Sequence, residues 1–231
     1  MSIEVQWPDG KYSLPQAISG CPQGWSSGWR LQDNEDDDNG NSHEPFDLDL
    51  YMKIVLGRNY KTYYCTKTFD GNSGFFWPRG KYCIAQYGGS CPSGFYKGSI
   101  YWDDEDGDDS CNAYQNPVPD GKYDGNTKIQ YCCRSDGDPG EGMLLPTTED
   151  FFLYRYDGVC QKVLGMNDPV QFKLYFDDED DDNDDSCSGN HPDSDCGGNH
   201  DIYFCYYSQS DVLDAADVIR NVIDDIFGHG L

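Results

Sequence analysis

At 231 residues, 37% of them hydrophobic and 15% aromatic, the chain is long enough to bury the core of one large β domain or two ordinary ones. Its 42 acidic residues against 16 basic ones give a net charge of −26, which excludes nucleic acid and anionic membranes as partners by repulsion and favours cations. The 26 Gly, 12 Pro and 18 Tyr favour short strands and many turns over helices, and 11 Cys point to an oxidising, extracellular compartment.

The opening "MSIEVQWPDG" lacks the apolar core of a signal peptide. With this cysteine content, the sequence reads as a mature or trimmed form of a secreted chain. "WPDGKYSLPQAISGCPQGW" (Trp7–Trp25) then aligns without a gap on "WPRGKYCIAQYGGSCPSGF" (Trp77–Phe95), at an offset of 70. An acidic run starts at Asp33. "FDLDLYMKIVL" (46–56) alternates Asp47 and Asp49 with Leu48 and Leu50 and predicts a strand. "TYYC" closes the first copy at Cys65.

In the second copy "GFYKGSIYW" predicts a strand, an acidic run follows at Asp103, and "IQYC" ends at Cys132. In the third, "FFLYRYDGVC" lays Tyr156 and Cys160 over Tyr87 and Cys91, and "KLYFDDED" lies over "SIYWDDED" after a five-residue insertion. Its acidic run starts at Asp177, and "DIYFCYY", another predicted strand, carries Cys205. The expectation is an all-β domain, 1–208, of three homologous units of about 70 residues each, 7–76, 77–142 and 143–208. Residues 209–231 predict an amphipathic helix with Ser210 as N-cap and Val212, Ala215, Ile219, Val222, Ile223 and Ile226 on one face. That helix would dock on its own domain or join copies into a homo-oligomer. Its five Asp against one Arg speak against membrane binding.

The repeat suggests a disulfide framework. Cys21, Cys91 and Cys160 share one repeat position and Cys65, Cys132 and Cys205 another, so the symmetric pairs are Cys21–Cys65, Cys91–Cys132 and Cys160–Cys205. Neighbours on a strand face opposite ways, so Cys133 needs a different partner from Cys132, and Cys83 is the choice. Cys187 and Cys196 suit a local bridge, with Cys111 outside the set. The same stretch offers Cys187, His191, Cys196 and His200 as a zinc set, but its spacing is unusual and a disulfide is preferred.

The three acidic runs hold 19 of the 42 acids. Like charges a few ångströms apart cost on the order of several kcal/mol per contact at an effective dielectric near 20, so a folded acidic loop wants a counter-ion. A hard divalent cation with oxygen ligands fits, and calcium is the expected cofactor, although the EF-hand register is missing. Its candidate ligands are Asp33, Glu35 and Asp36, then Asp103, Asp104, Glu105 and Asp106, then Asp177, Asp178, Glu179 and Asp180. Trp29, Trp102, Tyr175 and Phe176 precede these runs and are candidates for stacking on a sugar, whereas Trp7 and Trp77 read as core. No catalytic motif stands out, and the expectation is a non-enzymatic protein.

"WPRGKYCI", "GSCPSGFYKGSIYWDDED", "PDGKYDGNTKIQYCCRSDG", "FLYRYDGVCQKVLGM" and the closing "IYFCYY" resemble the apextrin C-terminal domain, the ApeC family, from Trp7 to Tyr207. That resemblance implies an extracellular recognition module of invertebrates, associated with bacterial peptidoglycan binding and innate immunity. Some members look like extracellular-matrix components, so a calcium-dependent, self-assembling adhesive protein is the alternative. A weaker resemblance, at Cys91-Pro92, Gly94-Phe95, Gly98, Ile100, Thr127, Ile129 and Cys132, is to vitelline-membrane outer-layer proteins. It implies a β-prism of three Greek-key sheets, which leaves no exposed edge.

Overall fold

Strong period-2 patterns become strands. A computed structural model describes residues 5–34, 40–104, 111–178 and 184–210. Segment 7–76 carries β1 (Tyr12–Pro15), β2 (Ser26–Gln32), β3 (Ser42–Glu44), β4 (Ile54–Val55) and β5 (Tyr60–Lys67). Segment 77–142 carries β6 (Lys81–Gln86), β7 (Tyr96–Trp102), β8 (Ala113–Gln115), β9 (Gly121–Tyr123) and β10 (Thr127–Ser135). Segment 143–208 carries β11 (Phe151–Tyr154), β12 (Val170–Phe176), β13 (Ser186–Gly189) and β14 (His200–Tyr207). The chain is all-β, a single curled sheet of 14 strands, and among the described residues it contains no α-helix.

One pairing pattern occurs three times. The long strands β5, β10 and β14 each lie between two strands of their own segment, giving β1–β5–β2, β6–β10–β7 and β11–β14–β12, all antiparallel. Each segment then lends a short strand to another: β3 pairs with β12, β8 with β2 and β13 with β7. The loans cover edges that would otherwise present unpaired N–H and C=O groups. β6 joins the segments by pairing with both β1 and β11.

Two apolar clusters fill the two sides. On one, Ile100, Trp102, Ile129, Leu174, Phe176, Ile202 and Phe204 pack together. On the other, Tyr12, Trp77, Tyr82, Phe151 and Tyr207 pack with Trp7 and Trp25. Trp7 lies 5.2 Å from Trp25 and 6.4 Å from Trp77 between ring centroids. The start of β14 alternates between buried and half-exposed residues, and its last four are all buried because both faces are covered.

Five disulfides link the expected cysteines: Cys21–Cys65, Cys91–Cys132, Cys160–Cys205, Cys83–Cys133 and Cys187–Cys196. Cys83 and Cys133 are directly opposite each other in the β6–β10 register. The Cys187–Cys196 bridge occupies both thiols that the zinc alternative required. Cys111 is exposed, and Asn59 Nδ2 lies 3.4 Å from its Sγ.

"FDLDLYMKIVL" departs from the expected strand. It makes a 3-10 turn at Leu48–Leu50 and only two strand residues, Ile54 and Val55. Leu48 is buried while Leu50 is 67% exposed, so the two leucines do not share a face. Leu48 and Met52 do, with the Met52 N–H donating to the Leu48 carbonyl at 2.8 Å. Residues 211–231, the expected helix, lie outside the described residues.

Candidate functional site

Each acidic run leaves the end of β2, β7 or β12, and its first two residues are tied to the sheet. Asp33, Asp103 and Asp177 each accept a hydrogen bond from the Nδ2 of Asn59, Asn126 and Asn199, at 2.6, 2.7 and 2.7 Å. Their backbone N–H groups donate across segments: Asp33 to Asn112 Oδ1 at 2.8 Å, Asp103 to Asp185 Oδ1 at 2.6 Å, and Asp177 to Asn41 Oδ1 at 2.7 Å. These carboxylates are therefore held by neutral amides rather than splayed into solvent. Glu35, Asp36, Glu105, Asp106, Glu179 and Asp180 lie outside the described residues.

The second residue of each run, Asn34, Asp104 or Asp178, is fully buried. Asp104 accepts from Gln32 Nε2 at 2.8 Å, Asn112 Nδ2 at 2.7 Å and Thr127 Oγ1 at 2.6 Å. Burial pushes its carboxyl up to about 7, against the pull of those donors and of Arg30. Asp178 Oδ1 accepts from Asn34 Nδ2 at 3.3 Å, but its Oδ2 has no donor. Burial, then the nearby Asp185 and Asp104 carboxylates, hold Asp178 well above the usual carboxylate range. His200 Nδ1 lies 2.7 Å from Asp185 Oδ2 and 3.8 Å from Asp178 Oδ2.

A different place has the shape of a ligand site. A hollow of about 730 Å³ is lined by Arg155, Tyr156, Asp193, Asp201 and Tyr203 among others. A neighbouring hollow of about 700 Å³ shares Arg155 and Tyr203 and adds Phe46 and Lys173. The Arg155 guanidinium carbon lies 3.7 Å from the Tyr203 ring centroid, so the stacked pair divides one groove into two lobes. Asp193 fixes this arrangement. It accepts from Arg155 Nε at 2.6 Å and from the N–H groups of Asp157 and Gly158, both at 2.8 Å. Asp157 sits at a φ of 59°, in the left-handed region, and these bonds hold it there. Phe46, 90% exposed, stands in the wall of the second lobe.

A similar brace occurs in segment 77–142. Asp120 accepts from the N–H groups of Gly88 and Gly89, at 3.1 and 2.6 Å, and from Gln86 Nε2 at 3.1 Å. The hollow beside it is smaller, about 370 Å³, and is bordered by Lys97, Lys122 and Lys128.

The family described as the C-terminal domain of apextrin, ApeC, matches residues 7–207. The chain belongs to the ApeC family. No curated protein and no solved structure matched it. The matched span of the ApeC domain covers every strand of the sheet and ends on the last residue of β14.

Two of the four aromatic candidates are core residues of this ApeC domain. Trp102 is 0% and Phe176 1% exposed, so neither has a face to offer a sugar. Both occupy inward positions of their strands, at the register pairs Thr127–Trp102 and Phe176–His200. Trp29 and Tyr175 are partly exposed. The Lys61 ammonium covers Trp29 at 3.6 Å from its ring centroid, and its Nε1 donates to Gln115 Oε1 at 2.8 Å. The Tyr175 hydroxyl accepts from Asn199 Nδ2 at 2.9 Å.

Arg155, Asp193, Tyr203 and Asp185 were not picked out as site residues, and His200 entered only as a member of the zinc alternative with Cys187, His191 and Cys196. A signal existed for Asp193, because Pro192-Asp193 in "HPDSD" repeats Pro119-Asp120 in "VPDGK".

Proposed function

We propose that this ApeC domain is a secreted, non-enzymatic recognition protein that binds bacterial cell-wall glycan, peptidoglycan, in an innate-immune role. The observation that carries this reading is the Arg155–Tyr203 groove, with exposed Phe46 in one lobe and carboxylates in the other. Sugar sites combine an apolar aromatic surface with a few fixed polar groups that meet hydroxyl and amide partners. Asp193 pre-organises the polar group here, so little ordering is left to bind a ligand. Five disulfides support secretion.

In the same reading the three strand trios are homologous units about a pseudo-threefold axis, a β-prism, and calcium steadies the acidic runs. The test is co-sedimentation of the full chain with insoluble peptidoglycan, with calcium or EDTA. Retention that falls with Phe46→Ala supports the reading. Absence of retention, together with calcium-dependent self-association, would instead establish the structural matrix role.

A further inference from the structure

We propose that Asp178, Asp185 and His200 bind a divalent first-row d-block cation that accepts mixed carboxylate and imidazole ligands, Zn²⁺ or Mn²⁺, at a buried site separate from the glycan groove. The argument is an internal comparison. Asn34, Asp104 and Asp178 each lie two residues beyond the end of their strand. Tyr60, Thr127 and His200 each open the long strand of their segment and pair with Gln32, Trp102 and Phe176. Asn41, Asn112 and Asp185 each accept a backbone N–H from a first acid of another segment. Three positions therefore recur in all three segments.

In segment 77–142 this trio is self-sufficient: Asn112 Nδ2 and Thr127 Oγ1 both donate to Asp104 Oδ2, at 2.7 and 2.6 Å. In segment 143–208 the amide becomes a carboxylate and the hydroxyl an imidazole. Neither serves Asp178: the imidazole Nδ1 lies 2.7 Å from Asp185 Oδ2 but 3.8 Å from Asp178 Oδ2, which is left buried without a donor. Asn34 Oδ1, beside it, is also buried without a donor. The side chains of Asp178, Asp185 and His200 are 0% exposed. One ligand atom from each lies within 4.8 Å of the others.

Two buried carboxylates and an orphaned oxygen are costly unless a cation joins them. A divalent ion neutralises both carboxylates and takes the Nδ1 lone pair once the proton on that nitrogen leaves, so binding releases a proton. An imidazole in a set of three points away from Ca²⁺, which takes 6–8 oxygens, and towards Zn²⁺ or Mn²⁺. The Trp102 ring, 5.6 Å from the imidazole, and the Cys187 sulfur, 3.8 Å from Nε2, pack the His200 ring in place.

The experiment is calorimetric titration of the EDTA-stripped full chain with ZnCl₂, MnCl₂ and CaCl₂ separately, alongside the visible spectrum of the Co²⁺ form. Expected are uptake of one equivalent of Zn²⁺ or Mn²⁺ at least tenfold tighter than any Ca²⁺ binding, a heat that depends on buffer ionisation, and Co²⁺ d–d bands. Asp185→Asn restores the amide found at positions 41 and 112, and His200→Thr restores the residue at 127, so both preserve a trio this sheet already accommodates. Each should keep the wild-type circular dichroism and lose roughly 100-fold in affinity. Failure of the wild type to take up either ion in stoichiometric amount overturns the proposal. So does wild-type affinity in both variants, which would place the ion on carboxylates other than this trio. Peptidoglycan retention does not enter, so this outcome and that of the glycan reading are independent.

Discussion

The guanidinium carbon of Arg30 lies 5.5 Å from the ring centroid of Trp102, in a position where the arginine is only 3% exposed. Phe176 takes a second face of the same cation at 5.7 Å, Nε donates to the Tyr64 hydroxyl at 3.0 Å, and Nη1 donates to Gln32 Oε1. Gln32 in turn donates from Nε2 to Asp104. One buried cation is thus relayed through an amide to a buried carboxylate.

Removing that cation leaves the buried Asp104 carboxyl without its nearby positive charge. Arg30→Met, close in volume, is expected to cost about 3 kcal/mol in urea unfolding, the usual size for breaking a buried charge arrangement. Arg30→Lys should fall between, because an ammonium keeps the charge but cannot serve Tyr64 and Gln32 with the same planar fork. Wild-type stability in both variants would mean that the Arg30 charge is irrelevant to the fold.

Asp104 gives the stability a pH dependence of defined sign. Burial holds its folded carboxyl at about 7 against an ordinary 3.8, so between those values the folded chain holds more protons than the unfolded one. Its contribution is full below pH 3.8 and is lost as pH rises through 7, with a limiting size on the order of 4 kcal/mol. Asp136 has the opposite sign. Hydrogen bonds from Arg134 hold it near 2, so its contribution is present above pH 3.8 and lost as pH falls through 2. Urea midpoints at pH 4.5, 6 and 8 in EDTA should therefore fall with rising pH in the wild type. The fall should be smaller in Asp104→Asn, the remainder coming from Asp178, whose raised carboxyl has the same sign, and equal slopes would remove Asp104 as a source.

The groove yields a prediction that separates binding from folding. Phe46 is 90% exposed, so Phe46→Ala should leave stability within about 0.5 kcal/mol of wild type. A lost stacking contact of about 1 kcal/mol lowers peptidoglycan retention several-fold. Arg155→Ala should lower it further, since it removes the group stacked on Tyr203 and leaves Asp193 without its charged partner. Thermal melting and co-sedimentation on the same samples check both. Undiminished retention in both variants would move the glycan site elsewhere on the domain.

The residues that were legible in advance are those that the sequence repeat constrains. Cys21, Cys91 and Cys160 share a repeat position, which made their symmetric pairings the simplest framework, and strand alternation at Cys132-Cys133 asked for a separate partner for Cys133, for which Cys83 was the choice. Trp102 and Phe176 were misread because proximity to an acidic run in sequence says nothing about which sheet face a residue occupies. The loan of β3 to β12 was illegible, since it joins His43 to Leu174 across most of the chain. The groove was missed for a related reason: Arg155, Asp193 and Tyr203 come from three separate stretches and meet only after folding. In "FDLDLYMKIVL" alternation competed with the burial of Leu48 and Met52 four residues apart, and the turn won.

The disulfides differ in burial, and that ordering can be measured. Cys83 and Cys133 are 0% exposed inside the core, whereas Cys187 and Cys196 are only partly buried. Their sequence separations are 50 and 9, so in the chain-entropy picture the bridges contribute about 4 and about 3 kcal/mol. Under a limiting phosphine reductant in native buffer, Cys187–Cys196 should open first, because the reductant reaches it without unfolding. Cys83–Cys133 should open last, because β6 must separate from β10 before its sulfurs are reached. Alkylation after partial reduction followed by peptide mapping gives the order. Early loss of Cys83–Cys133 would mean that the β6–β10 pairing opens locally under native conditions, against the burial of both half-cystines.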